Sequence, residues 1–435
     1  MSNLALGFLS FPVLLLLIFL RAPIGLAMLG IGIGGLWLAL GTPAVFLARL
    51  KTESYTTFSS YSLSIIPMFL LMGQFAAMSG MSARLFRAAE AWLGHRRGGV
   101  AMAAVGACAG FGAICGSSLA TAATMGRVAL PELRRAGYAH GFSAATLAAG
   151  GTLGILIPPS VILVVYAILT EQNIAKLFLA AVVPGVLAAL GYMIAIALYA
   201  RARPEEAGTA PRVPYSERWR AMAAVWPVLL VFVAVVGGIY TGLFTPTEGA
   251  AVGAAGTGLI ALLGGHLDWR GVRSALLATA VSTAMIFFIV LGAGIYNGFL
   301  ALTRVPQELA AFVGDAGLSP TMVLVAILLF YLVLGCLMDS LSMILLTIPI
   351  FFPVISALDF GLTPEQTAIW FGILALIVVE VGLITPPVGM NLFVINAMER
   401  GPIGPVYRAV LWFVASDIAR VAILVAFPAI TLFLL

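Results

Sequence analysis

Residues 150–160 read Gly-Gly-Thr-Leu-Gly-Ile-Leu-Ile-Pro-Pro-Ser, and they lie inside an apolar run over 143–170. Such a run is long enough to cross a bilayer core of about 30 Å, which takes about 20 helical residues. Proline removes a backbone donor and clashes with the preceding turn, so Pro158-Pro159 should break the helix into two halves. The break exposes carbonyls at one end and amides at the other. Carbonyl ends suit cations and amide ends suit carboxylates. Thr152 and Ser160 add hydroxyl oxygens beside the break. A structural kink explains one such feature easily. The chain holds a second: residues 382–388, Gly-Leu-Ile-Thr-Pro-Pro-Val, place Pro386-Pro387 inside the apolar run 366–398, with Thr385 and Asn391 nearby.

The two double prolines lie 228 residues apart, and other short matches recur in the same order at nearly that offset. Arg-Ala-Pro-Ile-Gly at 21–25 matches Thr-Pro-Thr-Glu-Gly at 245–249; Gly116-Ser117-Ser118-Leu119 matches Met338-Asp339-Ser340-Leu341; Pro131 matches Pro353. The chain therefore reads as a first half over 1–200, a polar linker over 201–222 and a second half over 223–435. Ten full crossings are expected, near 4–20, 23–41, 61–80, 143–170, 177–200, 223–243, 246–264, 276–302, 366–398 and 408–433. Two re-entrant hairpins are expected at 98–131 and 320–355. Five crossings per half is an odd number, so the second repeat must be inverted. Inverted repeats with broken helices are the sequence sign of a secondary transporter.

Composition agrees. Of 435 residues 62% are apolar and 9% charged, with mean hydropathy +1.13, whereas a soluble domain carries about 25% charged residues. Most of this surface must face lipid. The net charge of +5 does not point to nucleic acid, because the basic residues sit in loops between apolar spans. With the N-terminus outside, 17 of the 22 Lys and Arg residues fall on one face, against Arg49, Lys51, Lys176 and Arg304 on the other and Arg420 within the last span. Positive charge is retained in the cytoplasm, so both termini are expected in the periplasm. Met1-Ser2-Asn3 offers no basic n-region, so the first apolar run is expected to be retained as a helix. Cys108, Cys115 and Cys336 lie in apolar segments and suggest no disulfide framework. Segment 82–94 is amphipathic and is expected to lie along the membrane surface; an interfacial helix is also expected near Glu217–Arg220.

The first hairpin tip, Gly116-Ser117-Ser118-Leu119-Ala120-Thr121, leaves carbonyl and hydroxyl oxygens free at membrane depth, which are costly without a partner. Either a small hard cation such as sodium is that partner, or the small residues serve close helix packing. The second tip, Cys336-Leu337-Met338-Asp339-Ser340-Leu341-Ser342, carries an acid. Asp339 either stabilises a cation or caps the following helix. Glu380 is either a scaffold group or an ion or substrate ligand. Glu248 reads as an interfacial first-turn acid. Asp417 and Arg420 share a helix face and pair with each other or meet a partner. His95, His140 and His266 read as polar loop residues without metal-ligand spacing. No phosphate loop is present, so an ion gradient and not ATP is the expected driving force. A hydrolase built on Ser117 or Ser118 would need a general base, and no His or Lys lies near that tip; the chain is not expected to be an enzyme.

Taken together, Gly150–Ser160, the Gly-Ser-Ser-Leu-Ala-Thr tip, Thr247-Glu248-Gly249-Ala250-Ala251 and Thr385-Pro386-Pro387-Val388-Gly389-Met390-Asn391-Leu392-Phe393 resemble the large membrane subunit of the TRAP (tripartite ATP-independent periplasmic) transporters, the DctM-like permeases, over essentially the whole chain. The resemblance implies an all-α polytopic membrane protein of the ion transporter superfamily, with two inverted repeats and an elevator mechanism. It implies sodium-coupled uptake of an organic acid anion, such as a C4-dicarboxylate, a sialic acid or another sugar acid. It implies a periplasmic solute-binding protein and a small four-helix membrane subunit as partners, the latter a separate polypeptide here. No cofactor and no transition metal is implied; Na+ is the coupling ion. Carried over, one sodium site lies among Ser117, Ser118, Thr121, Gly151, Thr152 and Pro158. The other lies among Asp339, Ser340, Ser342, Thr385, Pro386 and Val388. Substrate is expected near Ser117, Ser160 and Asn391, with Glu380 in support. Arg127 departs from the small or apolar residue expected there, and is either a snorkelling cytoplasmic anchor or a selectivity group. A sodium–dicarboxylate symporter that works without a binding protein is the alternative.

Overall fold

A computed structural model describes residues 2–315 and 317–435. Met1 and Ala316, which fall in the two halves read above, lie outside the described residues. All regular structure among the described residues is helical. Helices α1 (Asn3–Phe19) and α2 (Ile24–Leu40) lead into α3 (Pro43–Ser59), α4 (Ile65–Met78) and the amphipathic α5 (Met81–Leu93). A first hairpin follows, α6 (Gly99–Cys115) and α7 (Ser118–Arg135), then an interrupted helix, α8 (His140–Leu156) and α9 (Val161–Thr170), bent by 43° at its break. The long α10 (Ile174–Ala202) ends at the linker.

The second half begins with α11 (Tyr215–Ala223), α12 (Trp226–Phe232) and α13 (Gly238–Tyr240), which run together as one 26-residue helix through a π-turn at Val233–Gly237. Then come α14 (Pro246–Leu263), α15 (Trp269–Thr303) and α16 (Val305–Asp315). A second hairpin, α17 (Pro320–Gly335) and α18 (Ser340–Ser356), precedes a second interrupted helix, α19 (Pro364–Gly382) and α20 (Met390–Glu399). Helices α21 (Ile403–Ala426) and α22 (Pro428–Leu432) complete the chain. Both Pro-Pro bonds are cis.

Local chemistry explains the helix starts. Thr245 and Glu248 form a capping box with Pro246 at the first helical position, which accounts for Glu248 as a first-turn acid. Thr363, Pro364 and Gln366 repeat the device at α19. Several bounds differ from those read in the sequence. Five helices are individually long and apolar enough to span a membrane, or seven when bent pairs count as one, where ten crossings were expected. Helices α1 and α2 hold 17 residues each, about 25 Å of rise, at the lower limit for a span. Helix α3 was not anticipated, because Arg49, Lys51 and Glu53 interrupt its hydropathy. It forms as a largely exposed helix packed on α15, where Gly294 and Gly298 make room for Glu53 and Arg49. Helix α16 was likewise missed, and α11 runs into the next crossing instead of standing alone.

The interrupted helices α8 and α19 form the centre. Gly141–Leu156 and Thr367–Gly382 are buried without a gap. Helix α8 packs on α6, α7 and α21, and α19 packs on α17 and α18. The halves also exchange partners: α9 lies on α18, and α20 lies on α7 and α8. His140 Nδ1 lies 2.9 Å from Glu399 Oε2, and Arg134 Nη2 lies 3.0 Å from the same oxygen, tying α20 to α7 and α8. Two glycine pairs set the closest approaches. A Cβ on Gly112 would stand 2.6 Å from the Gly154 Cα, and one on Gly382 would stand 2.5 Å from the Gly335 Cα. The three cysteines are free and buried.

A buried polar chain joins α8, α10 and α21. The Thr152 hydroxyl lies 3.0 Å from the Tyr192 hydroxyl, which donates to Asp417 Oδ2 at 2.7 Å. Arg420 donates to Asp417 Oδ1 at 2.6 Å, the intrahelical pairing anticipated from their spacing. Breaking a buried ion pair at one partner costs about 3–5 kcal/mol, because the other charge is left uncompensated. Arg420→Met should therefore lower the melting temperature of the purified protein sharply, and Asp417→Leu/Arg420→Met should recover most of the loss. Gly382→Ala forces a backbone shift worth about 1–3 kcal/mol. Gly30→Ala, where a Cβ meets nothing within 4 Å, should be neutral or stabilising in the same thermal scan.

Candidate functional site

The two hairpin tips face each other across one cavity of about 110 Å³. Its walls include Ser117 and Ser118 from the first tip, Asp339 and Ser340 from the second, and Val161 at the start of α9. Leu70 of α4 and Ile286 of α15 close it on the apolar side. Three helices thus begin at this cavity: α7, α9 and α18. Each is capped by a side chain. Ser117 accepts from Ala120 N at 3.4 Å, Ser160 from Leu163 N at 3.4 Å, and Asp339 from Ser342 N at 3.0 Å. Asp339 also accepts from the Ser342 hydroxyl at 2.5 Å, so the capping role left open in the sequence is present. Helix N-termini offer unpaired amides and partial positive charge, which suit an anion.

One oxygen without a protein partner lies close by. Thr121 is fully buried and its hydroxyl makes no hydrogen bond. Gly154 faces that hydroxyl and the Ser117 carbonyl, and Gly151 faces the Ser118 carbonyl. Glycine at 151 and 154 is what lets α8 approach the first tip; a Cβ on Gly154 would stand 2.3 Å from Thr121 Oγ1. The hydroxyl and the two carbonyls are hard oxygen donors of the kind a small cation takes. Thr152 differs: its hydroxyl turns to Ala149 O and Tyr192, so only its backbone belongs to this side. Pro158 and Pro159 form the adjoining break, and the Pro159 carbonyl faces Gly116.

At the second tip, Ser340 donates to Glu380 Oε1 at 2.6 Å, while Glu380 Oε2 makes no hydrogen bond although the residue is 2% exposed. The Ser118 side chain lies beside the same carboxylate. Glu380 therefore stands between the tips of both hairpins. The Thr385 hydroxyl bonds back to Val381 O at 2.7 Å, and Cys336 Sγ lies 4.0 Å from the Pro386 carbonyl. Val388 is half-buried at the end of this break.

Of the residues expected at the substrate, Ser117 lines the cavity. Ser160 is fully buried as the cap of α9, and Asn391 is fully buried with its amide nitrogen 3.3 Å from Ala148 O and its oxygen unpartnered. Neither lines the cavity between the tips. Arg127 lines a second cavity of about 330 Å³, with Gln74, Thr124 and Ser282. The two cavities share Leu70, Ser117 and Leu119, so this one adjoins the tips on the side toward which α7 runs. Residue reasoning missed Gln74, Ser282 and Tyr192, which lie within long, mainly apolar runs. Among the described residues no cluster of three or more His, Cys, Asp or Glu could hold a metal.

Comparison with known proteins agrees with this architecture. The "C4-dicarboxylate TRAP transporter large permease protein DctM" of Pseudomonas aeruginosa is 41% identical over 390 residues, 88% of each chain. The "Sialic acid TRAP transporter large permease protein SiaM" of Vibrio cholerae is 30% identical over 423 residues, 96% of each chain. These relatives are transport permeases and not enzymes. The solved structure of the Alcanivorax borkumensis YdaH transporter superposes with a TM-score of 0.62 over 88% of each chain at 16% identity, a likeness of fold alone. The model of the family described as "Tripartite ATP-independent periplasmic transporter, DctM component" matches residues 11–430, and the chain belongs to that family.

Proposed function

We propose that this chain is the permease for a small organic acid anion, drawn across the bacterial inner membrane by a sodium gradient. The observation that carries this reading is the convergence of three capped helix N-termini, those of α7, α9 and α18, on one cavity without a Lys or Arg in its wall. Amide ends attract a carboxylate, and the absence of a fixed cation leaves it free to depart. A cavity of about 110 Å³ suits a C4-dicarboxylate better than a nine-carbon sugar acid, in keeping with the substrate named for the Pseudomonas aeruginosa relative. Arg127 stands beside the path from the tips and draws the anion along it.

Sodium would occupy two places. One is formed by the Thr121 hydroxyl and the carbonyls of Ser117 and Ser118 against Gly151 and Gly154, next to the Thr152 backbone and Pro158. The other lies near Asp339, Ser340, Ser342 and the second break at Thr385, Pro386 and Val388, with Glu380 as its nearest anion. The recurrence of the glycine contacts, Gly112 with Gly154 and Gly335 with Gly382, and the exchanged packing of α9 and α20 support two inverted repeats, 1–200 and 223–435. In the elevator reading, both hairpins and both interrupted helices move as one body. Helices α2, α4, α14 and α15 form the frame, together with the small four-helix membrane subunit. A periplasmic binding protein delivers the substrate, and the distribution of Arg and Lys supports a periplasmic position for both termini.

The test is uptake of labelled C4-dicarboxylate into proteoliposomes holding this chain and its small subunit. Uptake should require both an inward sodium gradient and the binding protein. Sodium-driven uptake without the binding protein would mean a standalone symporter, and uptake indifferent to sodium would remove both ion sites. Arg127→Gln should raise KM severalfold at low ionic strength, by an amount that shrinks as salt screens the attraction along the path, and leave kcat near that of the parent. An unchanged KM would return Arg127 to the role of membrane anchor.

A further inference from the structure

Three arginines that take no part in the proposed ion and substrate sites meet at the far end of the first hairpin. Arg96 and Arg97, from the turn between α5 and α6, and Arg201, from the last turn of α10, surround a pocket of about 300 Å³. Its floor is apolar, made by Met102 of α6 with Ala197 and Ala200 of α10. No acidic side chain lines it, and among the described residues none of the three arginines makes an ion pair. The turn is held in place. Gly98 has a φ of +79° and packs on Ala200 and Ile196. A Cβ on Gly99 would stand 1.9 Å from the Leu93 carbonyl. The linker is laced to the same turn, with Ala210 N donating to Gly94 O at 2.8 Å. Partial burial, and then Arg218, Arg212 and Arg96, hold the neighbouring His95 below the usual imidazole range.

The outer face of α10 leads to this pocket. Val186, Leu190, Ile194 and Leu198 follow one another at four-residue spacing and are 51%, 50%, 60% and 47% exposed. Arg201 is one turn beyond the last of them. A row of exposed aliphatic side chains ending at three unpaired guanidinium groups matches one ligand, a molecule with an acyl chain and an anionic phosphate head. Snorkelling does not account for the cluster, because a snorkelling arginine rises from its own helix to the surface, whereas two of these come from a glycine-locked turn. We infer that the pocket of Arg96, Arg97 and Arg201 binds the headgroup of an anionic phospholipid, whose chain lies along the Val186–Leu198 row. Basic pockets between membrane helices are known to take such headgroups. The site is distinct from the cavity between the tips, and it stands whether or not sodium drives transport.

Native mass spectrometry of the full chain in its membrane complex, stripped of lipid in a non-ionic detergent and titrated with phosphatidylglycerol or phosphatidylcholine, tests the inference. One phosphatidylglycerol should bind in clear preference to phosphatidylcholine. Arg96→Gln/Arg97→Gln/Arg201→Gln should weaken it roughly a hundredfold, and Arg201→Gln alone, at an exposed helix end, roughly fivefold. Ala197→Phe, which fills the floor and leaves every charge in place, should also abolish binding. Equal binding of the two lipids would overturn the proposal, as would binding unchanged in Arg201→Gln and Ala197→Phe. Inorganic phosphate that displaces phosphatidylglycerol at equal concentration would assign the pocket to free anions and overturn it too.

Discussion

The structure turns on helix ends placed inside a membrane protein. A helix leaves four amides and four carbonyls without intrahelical partners at its ends, and hydrocarbon supplies none. Here four helices begin in the interior, at Ser118, Val161, Ser340 and Met390. Ser117, Ser160 and Asp339 cap the first three. The fourth has no side-chain cap and folds back on itself, with Asn391 N donating to Leu383 O at 3.1 Å. Such ends are tolerable only when other protein encloses them. That is why α8 and α19 are buried along their length and why glycine pairs stand at their closest approaches to the hairpins, Gly112 with Gly154 and Gly335 with Gly382.

Enclosure also makes the site. Caps satisfy one amide each, and the others stay available to whatever enters between the tips. The carbonyl ends and the orphaned Thr121 hydroxyl are left on the α8 side. Anion-seeking and cation-seeking groups are thereby separated by a few residues of chain. No charged side chain is needed to create either preference, which fits a centre whose ionised groups are largely neutralised within the fold. Asp417 and Arg420 compensate each other, and Asp339 is occupied by its own helix. Glu380 is the exception. It has one strong hydrogen bond, from Ser340, and one free oxygen, and it touches both tips.

Much of this was legible because proline and glycine act locally. Pro158-Pro159 and Pro386-Pro387 interrupt helices wherever the rest of the chain goes, and a Gly-Ser-Ser turn ends a helix by its own geometry. The intrahelical pairing of Asp417 with Arg420 followed from a spacing of three. What stayed hidden depends on the direction of a side chain. Thr152 stands beside the break in sequence, yet one residue along a helix is a turn of about 100°, enough to aim its hydroxyl at Tyr192 and away from the tip. Helix α3 was invisible because its charges find room beside glycines of α15 more than 240 residues away.

The distribution of positive charge completes the picture. Arginine is excluded from the wall between the tips, appears once beside it at Arg127, and gathers at the far end of the first hairpin in Arg96, Arg97 and Arg201. A guanidinium in direct contact would hold a carboxylate with a strong, bidentate grip. A carrier must release what it binds, so tight binding at the centre would cost it turnover. Backbone amides give a weaker attraction that needs no counter-ion to break. In the proposed reading, placing the nearest arginine one cavity away would provide a gradient of attraction along the path while leaving the central site shallow, and the strongest positive charge would be left to meet lipid and not cargo.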